Sequence, residues 1–357
     1  MKGFDFPITN TKLAGKDTKF NLEDPVERRK YFELKAGPEI EKIKDYLHTG
    51  TFVAFLLGKK GSGKGTYSKL FMEAVGNEHV AHLSIGDIVR NAEATLRNPQ
   101  QKDAFVNLLT QKYRGFQTVD EVVDTVLGRT QQKLLPTEAI LAFVEIEIDR
   151  LGHKAIFIDG FPRNMDQVSL SLFFRALMGY RDDPDFFIFI DVPETVIDER
   201  MKYRVVCPNC HTPRNIRLLR TQHVGYDQTT KEFYLKCDNT DCQQVRMVAK
   251  EGDSAGIESV RDRINLEEQV MRALLNLQGV PKVYLRNSIP VNKASETVDD
   301  YEITPAFQYQ HDAANDSVNI TEEPWTVADD EGQTSYSLMP APIGVALIRQ
   351  VAQALAL

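Results

Sequence analysis

Cysteine is scarce in this chain, with four among 357 residues. Tryptophan occurs once, at Trp325. No apolar run approaches the ~20 residues that cross a bilayer, so no membrane partner is expected. The opening residues MKGFDFPITN lack the apolar core of a secretory leader, which predicts a cytoplasmic protein. Positive charge is not in excess either. The formal net charge of −8 argues against general nucleic-acid binding, so any anionic ligand must be drawn by local positive charge. There is no internal repeat and no low-complexity tract. What remains is ordinary for a globular protein, 42% hydrophobic and 26% charged. The length suits one full core with inserted subdomains, or two domains.

The four cysteines fall in two close pairs, Cys207 with Cys210 and Cys237 with Cys242. In a cytosolic chain that pattern points to metal rather than disulfides. The first pair is C-x2-C at a tight turn. The second is C-x4-C after KEFYLKC, which reads as part of a β-hairpin. Two such knuckles can close a tetrahedral zinc site. Reduced free thiols are the plainer alternative. His211 could replace a cysteine, but its adjacency to Cys210 makes simultaneous binding awkward.

The chain is organised around Thr51 to Thr66, TFVAFLLGKKGSGKGT. Phe52 to Leu57 is apolar without alternation, as a central parallel strand reads when both faces are buried. Gly58, Gly63 and Lys64 then fit G-x-x-x-x-G-K, and a helical pattern follows. Strand, glycine loop and helix together give the motif its context. The loop's N–H groups and the positive end of the helix make an anion cradle for phosphates, and Lys64 can reach the terminal ones. A glycine-rich turn with a chance lysine is the bland reading.

Residues 1–24 are polar and aperiodic and are expected to drape over the surface. Asp24-Pro25 is a helix start, and residues 26–47 read as one or two helices broken at Gly37-Pro38. This N-terminal helical extension, residues 1–50, reads as a cap beside the first strand, or else as a partner-binding arm. Further strands are expected at Val80–Leu83, Lys154–Ile158, Asp185–Val192 and Val283–Leu285, with helices between them. Residues 91–132 read as helical with a break at Arg114-Gly115-Phe116. Strands alternating with helices imply βαβ units and a parallel sheet covered on both faces. Residues 287–335 are acidic and resist assignment, and the chain ends in an amphipathic helix.

Lys64, Asp87, Arg90, Asp159 and Arg163 lie just beyond the carboxyl ends of the expected strands, where open α/β sheets bind ligands. Clustered cations suit a polyphosphate, and a carboxylate near phosphates suits hydrated Mg²⁺. Arg200 and Arg204 share a helix face, and Arg261 and Arg263 open the helix beyond the cysteine segment. Any single arginine reads equally well as a surface charge. The set, bracketing one segment at both roots, does not.

GKKGSGKGT, LSIGDIVR, DGFPRN with Gln167, DERMKYR and ESVRDR resemble the ordered motifs of adenylate kinases and other nucleoside monophosphate kinases. The resemblance covers about residues 51–285. It implies an α/β P-loop three-layer sandwich, residues 51–286, with a five-stranded parallel sheet. Inserted in it would be an acceptor flap, residues 84–140, and a zinc-ribbon lid of residues 205–252 whose structural Zn²⁺ is held by Cys207, Cys210, Cys237 and Cys242. Residues 287–357 would be a C-terminal segment ending in a core helix. The implied activity is reversible transfer of a phosphoryl group from MgATP to AMP, giving two ADP, by a monomer.

By the same resemblance Gly58, Gly61, Ser62, Gly63, Lys64, Gly65 and Thr66 would hold the ATP phosphates, and Arg200 would lie against the donor base. Ser84, Ile85, Arg90, Leu134, Leu135 and Gly160 would border AMP. Arg90 and Arg163 would grip its phosphate, and Gln167 would face its base. Asp159 would organise the water shell of Mg²⁺. Arg204 and Arg263 would close over the transferring phosphoryl group, and with Lys64, Arg163 and Asp159 would make up the catalytic set. Phosphoryl transfer suits these residue types, because it needs alignment and neutralised charge rather than a strong base.

The chain also departs from the family. Ile85 stands where adenylate kinases usually have threonine, and it cannot hydrogen-bond a base or ribose. Asn164 and Asp166 resemble UMP/CMP kinases, whereas Gln167 resembles adenylate kinases. The family's arginine before its paired acids is best matched by Lys250. CMP, UMP or GMP as acceptor, GTP as donor, and a non-catalytic nucleotide- or RNA-binding adaptor therefore stay open beside the first reading.

Overall fold

The apolar run after Thr51 forms β1 (Val53–Gly58), buried at every position. A parallel strand flanked on both sides has no wet face, which is why its sequence does not alternate. In the computed structural model, which describes residues 1–15, 18–128, 135–163, 165, 167 and 184–357, β1 is the centre of a five-stranded parallel sheet. Ahead of it runs α1 (Pro25–Leu47), capped by the Asp24 carboxylate, which accepts from the N–H groups of Val26 and Glu27. The expected break at Gly37-Pro38 appears as a kink at Ala36, with helix continuing beyond it.

After β1 come α2 (Lys64–Val75), β2 (Val80–Ser84) and α3 (Ile85–Arg97). The chain continues as α4 (Pro99–Lys112), α5 (Val119–Leu127) and α6 (Thr137–Leu151). The first break in this stretch is at Asn98-Pro99, where Asn98 caps α4 and Pro99 opens it. The sequence reading placed only the later break, near Gly115. Then follow β3 (Ala155–Asp159), β4 (Asp185–Asp191) and α7 (Glu194–Lys202). The cysteine segment holds short antiparallel strands: β5 (Arg204–Val206), β6 (Pro213–Asn215), β7 (Val224–Asp227), β8 (Glu232–Leu235) and β9 (Val248–Ala249). The chain returns through α8 (Arg261–Leu275) and β10 (Lys282–Arg286).

The sheet order is β10-β4-β1-β3-β2. Alternate residues of β1 feed two cores. Ala54 and Leu56 face a cluster with α1, α2 and the C-terminal helix, while Val53, Phe55 and Leu57 face one with α3, α6 and α8. The three-layer P-loop fold that the sequence implied is thus present. Register aligns the strand ends that matter: Leu56 of β1 and Ser84 of β2 both pair with Asp159 of β3.

Two expectations need correction. Residues 1–24 do not merely drape, since Phe6, Thr9, Thr11 and Leu22 are buried. The unassigned acidic stretch is also ordered. It forms β11 (Ser288–Pro290), α9 (Val291–Thr297), a hairpin of β12 (Pro305–Asp312) and β13 (Ser317–Pro324), then β14 (Thr326–Ala328) and β15 (Thr334–Ser337). The closing helix α10 (Pro340–Ala354) buries its apolar side against α1, α2 and β10.

Candidate active site

Gly63 precedes α2 with φ +93°, a conformation that favours glycine, and a Cβ there would come within 3.2 Å of the Tyr67 ring. It offers no side-chain cap, so the first N–H groups of α2 are left for an anion. The Ser62 hydroxyl is buried and has no partner among the described residues. Lys64 Nζ donates to the Gly58 carbonyl at 2.7 Å and lies 3.9 Å from Asp159 Oδ1. Gly61, at φ +86°, completes the curl of the loop, while Gly65 and Thr66 lie in the first turn of α2. This loop fits a polyphosphate, and Asp159 beside it is the carboxylate that suits a hydrated divalent ion.

At the end of β2, Ser84 caps α3 by accepting from the Asp87 N–H, and Ile85 is buried. The guanidinium groups of Arg90 and Arg163 converge on Gly86, at 3.4 and 3.6 Å from where its Cβ would sit. Arg90 also pairs with Asp87. Arg163 Nε donates to the Gly160 carbonyl at 2.7 Å; Gly160 has φ +86°, and a Cβ there would stand 2.8 Å from Arg163 Nη2. Gln167 is buried. Its carbonyl accepts from the Arg163 N–H at 2.5 Å, and its amide donates to the Thr137 hydroxyl at 3.5 Å. Leu135 is buried, whereas Leu134, Asn164 and Asp166 lie outside the described residues.

The roots of the cysteine segment bring further cations to the loop. Arg204 Nε donates to Asp253 at 2.5 Å. Arg263 Nε donates to Glu267 at 2.9 Å, and the other Glu267 oxygen accepts from the Lys60 N–H at 2.6 Å. Burial, then the nearby Arg263, pull the Lys60 ammonium below the ordinary lysine range, with Arg204 and Lys250 adding to the effect against Asp253. Lys60, Arg204, Lys250 and Arg263 thus place positive charge beside the loop, partly offset by Asp253 and Glu267. Arg200 reaches Asn287 Oδ1 at 3.4 Å beside the fully buried Tyr67. Arg261 is instead tied to Glu194 and Glu258, so it braces α7 against α8.

Two parts of this region escaped the sequence reading. Lys59 is buried among Glu194, Glu268 and Asp330, at 3.0, 3.4 and 3.3 Å. Burial alone would lower its pKa, yet the three carboxylates outweigh it and raise it. Asn287 is fully buried, accepting from Ser337 at 2.8 Å and donating to the Leu338 carbonyl at 2.9 Å. Both partnerships depend on C-terminal residues whose place could not be read from local pattern.

In the lid, the Sγ atoms of Cys207, Cys210, Cys237 and Cys242 all lie within 4.8 Å of one another. Cys210 and Cys237 are 3.7 Å apart, against the roughly 3.8 Å between thiolates that share a tetrahedral zinc with bonds of about 2.3 Å. Hydrogen bonding with Thr212 pulls the Cys210 thiol down to about 6, while burial and its neighbours push Cys242 up to about 12. The donor set and spacing fit Zn²⁺, which binds all four as thiolates.

The family described as "AAA domain" matches residues 57–205. The chain is 30% identical over 187 residues to an adenylate kinase of Hydrogenobaculum sp., covering 52% of this chain and 71% of that protein. It is 27% identical to the mitochondrial GTP:AMP phosphotransferase of Drosophila melanogaster, covering 52% and 71% respectively. It is also 27% identical to a probable UMP-CMP kinase 2 of Arabidopsis thaliana, covering 46% and 52%. No helix among the described residues is long and apolar enough to cross a membrane.

Proposed function

We propose, from the premise that this chain belongs to the adenylate kinase and nucleoside monophosphate kinase family, that it moves a phosphoryl group reversibly between MgATP and AMP. The observation that carries this reading is the convergence of Arg90 and Arg163 on Gly86. It lies along the same sheet edge as Lys64 and Asp159. One anion cradle beside a second pair of cations is what two phosphate-bearing substrates require.

An oxygen of the acceptor phosphate attacks the terminal phosphorus of the donor, and the bond to the bridging oxygen breaks. The attacking oxygen is already anionic, so no general base is needed. Lys64 and the α2 N–H groups hold the donor phosphates, while Arg90 and Arg163 align the acceptor. Arg204 and Arg263 meet the charge on the transferring group when the lid closes, and closure keeps water out. Mg²⁺ bound with the donor supplies further charge neutralisation, and Asp159 would hold its water shell. Zn²⁺, held by the four cysteines, would be structural only.

A pyrimidine acceptor is the second reading. Ile85 offers no hydrogen bond, and the Gln167 carbonyl and amide already have partners within the chain. A coupled assay with MgATP or MgGTP, and AMP, CMP, UMP or GMP in turn, decides between them. ADP should form fastest with ATP and AMP, by about tenfold or more. Arg163→Ala should lower kcat by roughly 10²- to 10³-fold while sparing MgATP binding. A preference for CMP or UMP would give the second reading, and no turnover with any acceptor would overturn both.

A further inference from the structure

The hairpin β12–β13 is rooted in the core but reaches the lid. At its root, Thr304 N–H donates to the Ser337 carbonyl at 2.8 Å, and Trp325 N–H donates to the Thr304 carbonyl at 3.0 Å. The preceding Glu302 is fully buried and accepts from Tyr31 and Thr11, each at 2.6 Å. Along β12, Phe307, Tyr309 and His311 share one face, and their partners Ile320 and Val318 on β13 extend it.

That face lies on the lid. His311 stacks on Tyr226 of β7 with ring centres 4.2 Å apart, and Tyr309 packs against Phe233 of β8 at 5.5 Å. Tyr309 Oη donates to the Ile216 carbonyl, and Phe307 N–H donates to the Arg217 carbonyl at 2.8 Å. Arg220 lies over the Phe307 ring. Beside these contacts is a cleft of about 690 Å³, bordered by Phe20–Pro25, the lid and the hairpin. Among the described residues the cysteine segment is therefore attached to the core through its own roots at Arg204 and Asp253, through Asn215 and Arg217, which donate to Glu199 of α7, and through this strut from the C-terminal segment.

We propose that the hairpin is a tether that fixes the position of the lid relative to the core, with Tyr309 and His311 as positioning residues. The proposal rests on reading residues 205–252 as the closing lid of the kinase. A lid already held in place leaves less of the closing cost to the donor, so the tether raises donor affinity. It touches no reacting atom, so it leaves the chemical step alone.

The test uses full-length, zinc-loaded protein carrying His311→Ala, its lid-side partner Tyr226→Ala, or both. MgATP affinity, kcat with the best acceptor, and hydrogen exchange of Val224–Leu235 are measured for each. An aromatic pair corresponds to a factor of roughly 2 to 12 in an equilibrium constant. Each single variant should weaken MgATP by about that factor and speed exchange of Val224–Leu235. It should leave kcat unchanged or raised, and the double variant should be no worse than the worse single. Tyr309→Phe, which keeps the ring, should retain most of the affinity, whereas Tyr309→Ala should lose it. Unchanged exchange, unchanged affinity, additive effects, or a fall in kcat alone would each overturn the tether. The exchange and MgATP readings do not depend on the acceptor, so failure of the AMP reading leaves this test intact.

Discussion

His82 sits on β2 beneath the phosphate loop, with its ring about 3.8 Å from where a Cβ of Gly65 would lie. Its Nε2 is buried without a partner among the described residues. Burial lowers its pKa below the ordinary histidine value, and the opposing pull of Asp159 is weaker. The folded protein therefore keeps this ring neutral, while the unfolded chain takes a proton from about pH 6.5 downward. Stability from this residue is fully present above about pH 6.5. It is lost as pH falls from there to the depressed folded value. His82→Gln should flatten the decline of Tm between pH 7 and pH 5; an unchanged slope would remove His82 from the account. No sequence pattern announced this residue. Lys64, Arg90, Asp159 and Arg163 were legible because their chemistry is written in local motifs at strand ends. Lys59 was not, because nothing local distinguishes it from its neighbour Lys60, and its three carboxylates come from α7, α8 and the C-terminal segment.

Elements were legible where burial is simple. β1, β3 and β4 are apolar runs because they sit inside the sheet, and their limits fall within a residue or two of those expected. The hairpin β12–β13 was not read, although its apolar residues alternate with polar ones as those of a half-buried strand do; what local pattern could not give is the face they cover, which lies on the cysteine segment, far away in sequence. The lid shows the opposite case, in which four cysteines announce an element with almost no core. Its buried cluster is the cysteines with Leu235 and Met247. The four-cysteine cluster is compatible with structural zinc, and on the proposed reading the metal would supply the fold that the small core does not, since structural zinc contributes on the order of 10 kcal/mol to comparable small modules. Cys207→Ser should lower zinc content from about one per chain toward zero. Exchange of residues 224–235 should become fast, while the amides of β1 and β4 stay protected. Zinc retained at full stoichiometry would refute the four-cysteine site.

At the scale of the whole molecule, the two terminal segments are joined to one another through a buried charge. Glu302 accepts from Tyr31 and Thr11, and from the Asp299 N–H at 2.8 Å. Lys35 Nζ lies 3.6 Å from it and donates to Asp299 and to the Thr11 carbonyl, both at 2.7 Å. Burial and the neighbouring carboxylate push the Tyr31 hydroxyl well above the ordinary tyrosine range, so it remains a donor. The knot joins the strap before α1, α1 itself and the root of the hairpin, and thereby explains why residues 1–15, 18–24 and 287–335 are held in place without a strong pattern of their own. Glu302→Ala would leave the Tyr31 and Thr11 hydroxyls without their buried acceptor and take away one of the two carboxylates beside the Lys35 ammonium, which keeps Asp299. Breaking one side of a buried ionic cluster costs about 3–5 kcal/mol, whereas losing only an exposed pair costs about 0–1. Urea unfolding should therefore show a loss of about 3–5 kcal/mol for Glu302→Ala. Glu302→Gln, which keeps the shape and some acceptors, should lose less. If Glu302→Ala cost under about 1 kcal/mol, the segments would be held by apolar packing instead. A loss in the larger range, accompanied by faster exchange in the lid, would mean that the knot fixes the root from which the hairpin reaches the lid.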